Sequence, residues 1–249
     1  MNNCINDSHK LSKLLSKKAS VIVQGDKEYD EKRKQIGWWR NSEKEALKKI
    51  APSLICIPSN DQDVSAIVKF ATTNGYKVIP RSGGHQISGH SSGEKIEKTI
   101  QIDMRSFVEV HIEQGELSDK TNNTKSPRVT VGTGVRLNEL GRILNDYNLH
   151  IPMGVCSNVC AGGHYQSSAF GVWSRSLGLG IDYVTHIKIC LASGEIITVH
   201  ADDEEHSSLF WALRGGSPGA FGVILGYQFN AIPVNSFEHA YLGRFYWEN

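Results

Sequence analysis

Residues 53–85, SLICIPSNDQDVSAIVKFATTNGYKVIPRSGGH, hold two short apolar runs on either side of a helical pattern. The runs SLICIP (53–58) and KVIPRS (77–82) predict strands, and the stretch between them is long enough for the crossover that parallel strands require. Apolar residues recur at helical spacing in that stretch, at Val64, Ile67, Val68 and Ala71. Because sheets with such crossovers place ligand loops at the carboxyl ends of their strands, we expect a ligand at the loop after KVIPRS.

The ends of the crossover helix carry their own signals. Ser59 with Gln62 predicts a capping box at its start. Gly75 predicts its C-terminal cap, because glycine adopts the left-handed backbone that ends many helices.

Hairpin-like segments and a second helix follow. VEVHIE (108–113), RVTVG (128–132) and THIKICLASGEIITVHA (185–201) predict strands, and RLNELGRILNDYN (136–148) has a helical apolar face. The polar stretch 114–127 predicts a surface insertion between two of the strands. One crossover unit combined with several hairpins predicts an α+β fold rather than a doubly wound sheet.

Composition excludes several classes of protein. The 249 residues include 27 Lys+Arg and 26 Asp+Glu, and this net charge of +1 gives no reason to expect nucleic acid or an anionic membrane as a partner. No apolar run approaches the roughly eighteen residues of a membrane span, and the N-terminus lacks a secretory signal, so we expect an intracellular, cytoplasmic protein. Five cysteines, an odd number, argue against a disulfide framework.

The stretch RSGGHQISGHSSG (81–93) is the first candidate ligand loop. Its small residues, among them Ser82, Gly83, Gly84 and Ser91, expose backbone N–H groups and hydroxyls of the kind that bind a pyrophosphate. His85 lies inside this predicted cradle. From this loop alone, both a functional and a purely structural histidine remain open.

Two further glycine patterns need separate interpretations. VTVGTGVRLNELG (129–141) resembles a dinucleotide fingerprint, but Leu137 stands where the third glycine belongs, so a tight strand-to-helix turn is favoured. LFWALRGGSPGAFGVI (209–224) predicts a second loop with an exposed backbone, which leads into a strand.

The stretch GVCSNVCAGGH (154–164) leaves four roles open for Cys156: metal ligand, disulfide partner, core residue or nucleophile. Cys156, Cys160 and His164 would line one face of a helix. The glycines disfavour a helix and no fourth ligand is near, so we expect no metal site.

Together with IDMRSF (102–107), these stretches resemble the FAD-binding domain of the berberine-bridge-enzyme-like flavoproteins, of the vanillyl-alcohol-oxidase or PCMH type. The resemblance runs from about residue 38 to residue 235. It implies a domain over 36–235 made of two α+β subdomains, at about 36–105 and 106–235. A mobile leader over 1–35 would precede it. Residues 236–249 would begin a substrate domain that is truncated or absent.

The resemblance also implies the site. FAD would be joined through its 8α carbon to His85 and through C6 to Cys156, while Cys160 would be a bystander. Val159 matches a position that acts as an oxygen gate in the family, although a packed core residue is the alternative. Residues implied to contact FAD are Arg81, Ser82, Gly83, Gly84, Gln86, Ser91, Gly154, Val155, Ser157, Gly162, Gly163, Gly171, Gly222 and Ile224. Ser167-Ser168-Ala169 departs from the glycine triplet that many relatives have at this place.

The implied activity is that of an FAD-dependent oxidoreductase. Hydride would pass from an alcohol, sugar or amine carbon of a small-molecule substrate to covalently held FAD, with dioxygen as the second substrate. The alternative is a flavin-binding module without turnover, or one half of a split enzyme that needs a substrate-domain chain as partner. No residue of this sequence can be nominated as the catalytic base.

Overall fold

The computed structural model describes residues 2–34, 50–86, 89–93, 98–113 and 126–236, and the single positions 239 and 243. Most of the predicted insertion over 114–127 and of the expected substrate-domain start over 236–249 lies outside these residues. Within the described part of the chain, no helix has the length and apolar character to cross a membrane.

The first sheet has four strands in the order β1-β2-β4-β3. They are β1 (Ser20–Val23), β2 (Leu54–Ile57), β3 (Lys77–Arg81) and β4 (Thr99–Asp103). Strands β2 and β3 are parallel to β4, which lies between them, and β1 is antiparallel to β2. The predicted strands and their parallel direction are confirmed. The two strands that the crossover joins, β2 and β3, are not neighbours, because β4 lies between them.

Helix α3 (Asp61–Asn74) forms that crossover, and Gly75 caps it in the left-handed region at φ 68°. The predicted capping box of Ser59 and Gln62 is wrong by one position. Asn60 is the N-cap, and its side-chain oxygen accepts a hydrogen bond from the Asp63 backbone N–H at 2.9 Å. Asp63 in turn accepts from the backbone N–H of Ser59 at 2.9 Å.

The N-terminal segment is built into the first subdomain, which corrects the expected mobile leader for residues 2–34. It contains α1 (Asn2–Ser12), strand β1 and the short helix α2 (Tyr29–Lys32). Leu11 is 0% exposed in the same apolar cluster as Leu54 and Ile67. Pairing in a sheet and burial of apolar side chains hold this segment in place.

The second sheet is antiparallel, in the order β5-β6-β10-β8-β9. Its strands are β5 (Val110–Glu113), β6 (Arg128–Gly132), β8 (Val184–Cys190), β9 (Ile196–His200) and β10 (Val223–Asn230). The other described elements are α4 (Leu137–Asp146), β7 (Leu149–His150), α5 (Ala161–Gln166), α6 (Ser174–Leu177), α7 (Ser207–Leu213) and β11 (Ile232–Pro233), and 3-10 turns at His90–Ser92, Gly180–Tyr183 and Val234–Ser236. The predicted strands, the second helix and the α+β class are confirmed.

The chain changes from the first sheet to the second between β4 and β5, where the sequence analysis placed the border of its two subdomains. The sheets do not have separate interiors, because Cys190, Val223 and Leu225 of the second sheet belong to the first subdomain's apolar cluster. The turn between β6 and α4 packs on the connecting segment, with the Gly134 N–H donating to the Phe107 carbonyl at 2.8 Å. It is the tight turn that the sequence predicted.

Candidate functional site

Three loops lie beside the carboxyl end of β3, one of them close to Pro80 of that strand. We call them the histidine loop (residues 82–86), the cysteine loop (residues 154–160) and the glycine loop (residues 215–222). In the glycine loop, the Gly219 N–H donates to Gln166 Oε1 at 2.9 Å. A Cβ on Gly83 would lie 3.0 Å from Cys160 Sγ, so the histidine and cysteine loops are in direct contact. The fold thus brings together segments that are far apart in the sequence.

The histidine loop presents unused backbone donors. Gly83 and Gly84 are buried, and Gly84 has a left-handed backbone at φ 71°. The N–H groups of Gly83, Gly84 and His85 have no hydrogen-bond partner among the described residues. Because buried backbone N–H groups are nearly always paired, this loop suits an anionic ligand such as a pyrophosphate.

His85 carries a buried ring nitrogen, Nε2, that has no hydrogen-bond partner in the described part of the chain. Burial lowers the pKa of His85, the hydrogen bond with the Asn158 backbone opposes this, and the Arg81 charge lowers the pKa further. The ring is therefore neutral at neutral pH. A neutral imidazole with an unpartnered nitrogen can act as a nucleophile or bind a ligand.

The two cysteines of the cysteine loop have opposite environments. Cys156 is exposed, whereas Cys160 is 3% exposed, and burial raises the pKa of Cys160 to about 11. Since the thiolate is the reactive form of cysteine, Cys156 is the thiol that a cofactor can reach. The loop is fixed on α4, because the Leu137 N–H donates to the carbonyl of half-buried Val159 at 2.9 Å.

His164 supports the cysteine loop, a role that the sequence analysis did not predict. Its Nε2 accepts a hydrogen bond from the Gly154 N–H at 2.9 Å. Burial lowers the pKa of His164 to about 4, so the ring is neutral and can accept. No local pattern signals this bond, which joins the start of the loop to the middle of α5.

The other residues implied to contact FAD differ from one another in burial. Ser82 packs on Gly162 with no room for a side chain on that glycine, and the Gly162 carbonyl accepts from the buried Tyr227 hydroxyl at 2.7 Å. Ile224 is 4% exposed and belongs to the apolar cluster of the second sheet. Exposed positions are Gln86, Val155, Ser157 and Gly163, whereas Ser91, Gly171 and Gly222 are half-buried.

The chain around the departure from the glycine triplet is strained. Ser168 and Ala169 have φ values of 76° and 55°, in the region that favours glycine. Their backbone therefore keeps the left-handed form although this sequence has no glycine there.

An apolar pocket of about 630 Å³ includes Val155, the residue before Cys156, in its wall. It is lined by Val155, Phe170, Gly171, Val172, Ser174, Arg175 and Leu179. Val155 is 72% exposed and Phe170 is 71% exposed, although both are large apolar residues. The apolar wall, with an accessible thiol close to it, suits the ring system of FAD. The unpaired N–H groups of the histidine loop suit its pyrophosphate.

Comparison with known proteins agrees with this geometry. A family model described as FAD binding domain matches residues 52–200. The FAD-linked oxidoreductase pynB of Aspergillus niger is 34% identical over 177 residues, which cover 71% of this chain and 30% of that protein. Berberine bridge enzyme-like 19 of Arabidopsis thaliana is 31% identical over 199 residues, or 79% of this chain and 32% of that protein.

A solved structure shares the fold over nearly the whole chain. BBE-like 1 of Physcomitrella patens superimposes with a TM-score of 0.75 at 25% identity, covering 92% of this chain and 44% of that one. The chain spans about a third of the length of the curated relatives it matches. With the family model matching more than half of the sequence, the chain belongs to the FAD binding domain family, in its berberine-bridge-enzyme-like group.

Proposed function

We propose that this chain holds FAD covalently, through His85 and Cys156, as the flavin-carrying part of an oxidoreductase. The observation that carries the proposal is the pairing of a neutral, unpartnered His85 Nε2 with an exposed Cys156 on loops that touch each other. A neutral imidazole and a thiolate are the nucleophiles suited to an electron-poor ring. When bound, FAD supplies a hydride acceptor.

The chain's own residues divide the work of holding FAD. The unpaired N–H groups of Gly83, Gly84 and His85 are donors for the pyrophosphate. The pocket beside Cys156 gives an apolar surface for the ring. His164 holds Gly154, and with it the start of the cysteine loop, so that Cys156 has a defined position.

The activity we propose is oxidation of an alcohol, sugar or amine carbon by hydride transfer, with dioxygen as the final acceptor. The name of the Aspergillus relative, FAD-linked oxidoreductase, supports the reaction class. In this proposal Val159 controls the access of dioxygen. Its half-buried position between Cys156 and α4 is compatible with a gate and equally with packing.

A second candidate function is a flavin-binding module that has no turnover by itself. One observation favours it: the pocket wall at Val155 and Phe170 is open to solvent, so this chain does not enclose a substrate on that side. A separate substrate-domain chain would be the partner in that case.

The covalent links are tested by loading the chain with excess FAD, precipitating it with acid and mapping the flavin by mass spectrometry. We expect flavin mass on the peptides that contain His85 and Cys156. His85→Ala should leave attachment at Cys156 only, and Cys156→Ala should leave attachment at His85 only, with a changed absorption spectrum. Cys160→Ala is the matched control and should keep both links. A parent protein whose flavin dissociates completely in acid contradicts the proposal.

A further inference from the structure

Arg81 lies beneath the histidine loop rather than inside it. It is the last residue of β3, and it is 2% exposed. Its Nη1 donates to the backbone carbonyl of Lys32 and its Nη2 to that of Lys34. Both acceptors belong to the N-terminal segment, which precedes the part of the chain matched by the family model, residues 52–200.

The guanidinium also contacts the loop itself. A Cβ on Gly84 would lie 2.5 Å from Arg81 Nη2 and 2.7 Å from Nε, so Gly84 packs directly against the guanidinium. The guanidinium is thus between the loop and the N-terminal segment. Because its donors are arranged as a rigid planar fork, it fixes the spacing of the groups on either side.

Charges and further hydrogen bonds hold this arrangement. Asp103, 1% exposed, lies 4.0 Å from Arg81 Nη1 and is itself held by Arg105 at 2.6 Å. The Gln101 side chain donates to the Lys32 carbonyl at 3.3 Å. Burial lowers the pKa of Arg81 to about 10 while Asp103 raises it, so Arg81 remains charged at neutral pH.

The N-terminal segment is anchored independently of Arg81. The Tyr29 hydroxyl donates to the Pro52 carbonyl at 2.7 Å, and Arg33 Nη1 donates to the Ile50 carbonyl at 2.5 Å. The Lys32 and Lys34 carbonyls are therefore fixed points against which Arg81 can hold the loop.

We propose that Arg81 is a positioning residue for the attachment at His85. It acts from behind, by clamping the histidine loop to the carbonyls of Lys32 and Lys34, and does not itself contact the cofactor. The part of this inference that concerns attachment rests on the proposed function, whereas the clamp does not. The N-terminal segment thereby becomes part of the cofactor-binding apparatus.

The clamp is tested first on the full chain prepared without flavin, by nitrogen-15 NMR relaxation of the backbone amides. In Arg81→Lys, the ammonium is a compact donor on a flexible stem, so it does not fix the spacing between the two carbonyls and the loop as the planar guanidinium does. We expect the order parameters of the amides of residues 82–86 to fall from about 0.85 to below about 0.6, while those of the cysteine loop are unchanged. Arg214→Lys is the matched control, since Arg214 also bonds a backbone carbonyl, that of Ile181 at 3.2 Å, and pairs with Asp182 at 3.6 Å. Unchanged order parameters of the histidine loop in Arg81→Lys overturn the clamp.

The attachment is tested next, at equal folded fractions, by mapping flavin on the His85 and Cys156 peptides. Arg81→Lys should lower occupancy at His85 by about threefold or more and leave Cys156 as in the parent, because only the histidine loop loses its support. If Arg81→Lys does not fold, Gln101→Leu takes its place. It removes one hydrogen bond to the Lys32 carbonyl and should lower flavin occupancy at His85 by a smaller factor, again without a change at Cys156. Equal losses at both sites, or none, overturn the positioning role. A parent without covalent flavin refutes the proposed function and, with it, the attachment role, while the relaxation experiment still decides the clamp.

Discussion

At the scale of single residues, the chemical role of a histidine or cysteine in this protein depends more on its environment than on its residue type. His85 and His164 are both neutral, but His85 has an unpartnered Nε2 whereas that of His164 accepts from Gly154. Cys156 is exposed, and Cys160, four positions later, is buried against Gly83. One residue of each pair is thus free to react and the other is structural.

The depressed pKa of His164, about 4, predicts a pH dependence of stability. Because this value lies below the ordinary histidine value, the unfolded chain binds the proton first as the pH falls. The stabilisation is complete above the ordinary value near 6.5 and is lost as the pH falls from there towards 4. We expect the free energy of unfolding of the parent to decrease more steeply in this window than that of His164→Gln, by up to about 1.4 kcal/mol per pH unit.

Denaturant unfolding of both proteins at several pH values between 4 and 7 measures this difference. His9→Gln, at an exposed histidine of α1, is the control and should follow the parent curve. Parallel curves for the parent and His164→Gln would mean that His164 does not contribute to this dependence.

At the scale of elements, α1 is part of the first subdomain. The Tyr76 hydroxyl donates to Asp7 Oδ2 at 2.7 Å, and Ser16 binds Asp63 of α3 through its backbone N–H at 2.7 Å. Leu11 completes the apolar cluster between α1 and the sheet. The N-terminal segment therefore contributes to stability as well as to the clamp at Arg81.

We predict that Leu11→Ala destabilises the protein by about 2–5 kcal/mol, because it removes a fully buried side chain and leaves a cavity. Leu14→Ala, at a leucine that is 60% exposed, is the matched control and should cost less than about 0.5 kcal/mol. Urea unfolding of the flavin-free chain measures both changes. Similar small effects of the two substitutions would show that α1 does not pack as described.

At the scale of the whole molecule, two sheets of different topology position loops from distant parts of the sequence. The histidine loop follows a parallel strand of the first sheet, and the glycine loop leads into β10 of the antiparallel second sheet. Cys190, Val223 and Leu225 of the second sheet pack in the apolar cluster of the first subdomain and so join the two sheets. The predicted site is therefore a property of the assembled subdomains.

The open side of the pocket predicts how the isolated chain behaves with substrates. With covalent flavin in place, we expect no flavin reduction by a panel of alcohols, sugars and amines, because Val155 and Phe170 leave the pocket wall open to solvent. Adding the remaining part of a relative, in the same chain or as a partner, should permit reduction. The measurement is anaerobic bleaching of the flavin absorbance. If a panel member bleaches the flavin of the isolated chain, the chain oxidises that substrate by itself, which contradicts a flavin-binding module without turnover.

The sequence by itself determined the local elements and the family. Helical spacing in α3 and α4, alternation in β5 and β6, and the Gly75 cap depend on neighbouring residues, so they can be recognised without tertiary structure. The motif around His85 and the one around Cys156 likewise identified the FAD binding domain.

Tertiary structure decided the rest, since it depends on contacts between distant residues that no local pattern encodes. The position of β4 between β2 and β3 is a matter of strand pairing, and the inclusion of the N-terminal segment depends on Leu11 meeting α3 and β2. The bond of His164 to Gly154 and the clamp of Arg81 on Lys32 are further examples. Burial and hydrogen-bond partners, which set the reactivity of Cys156 and His85, exist only once the loops have come together.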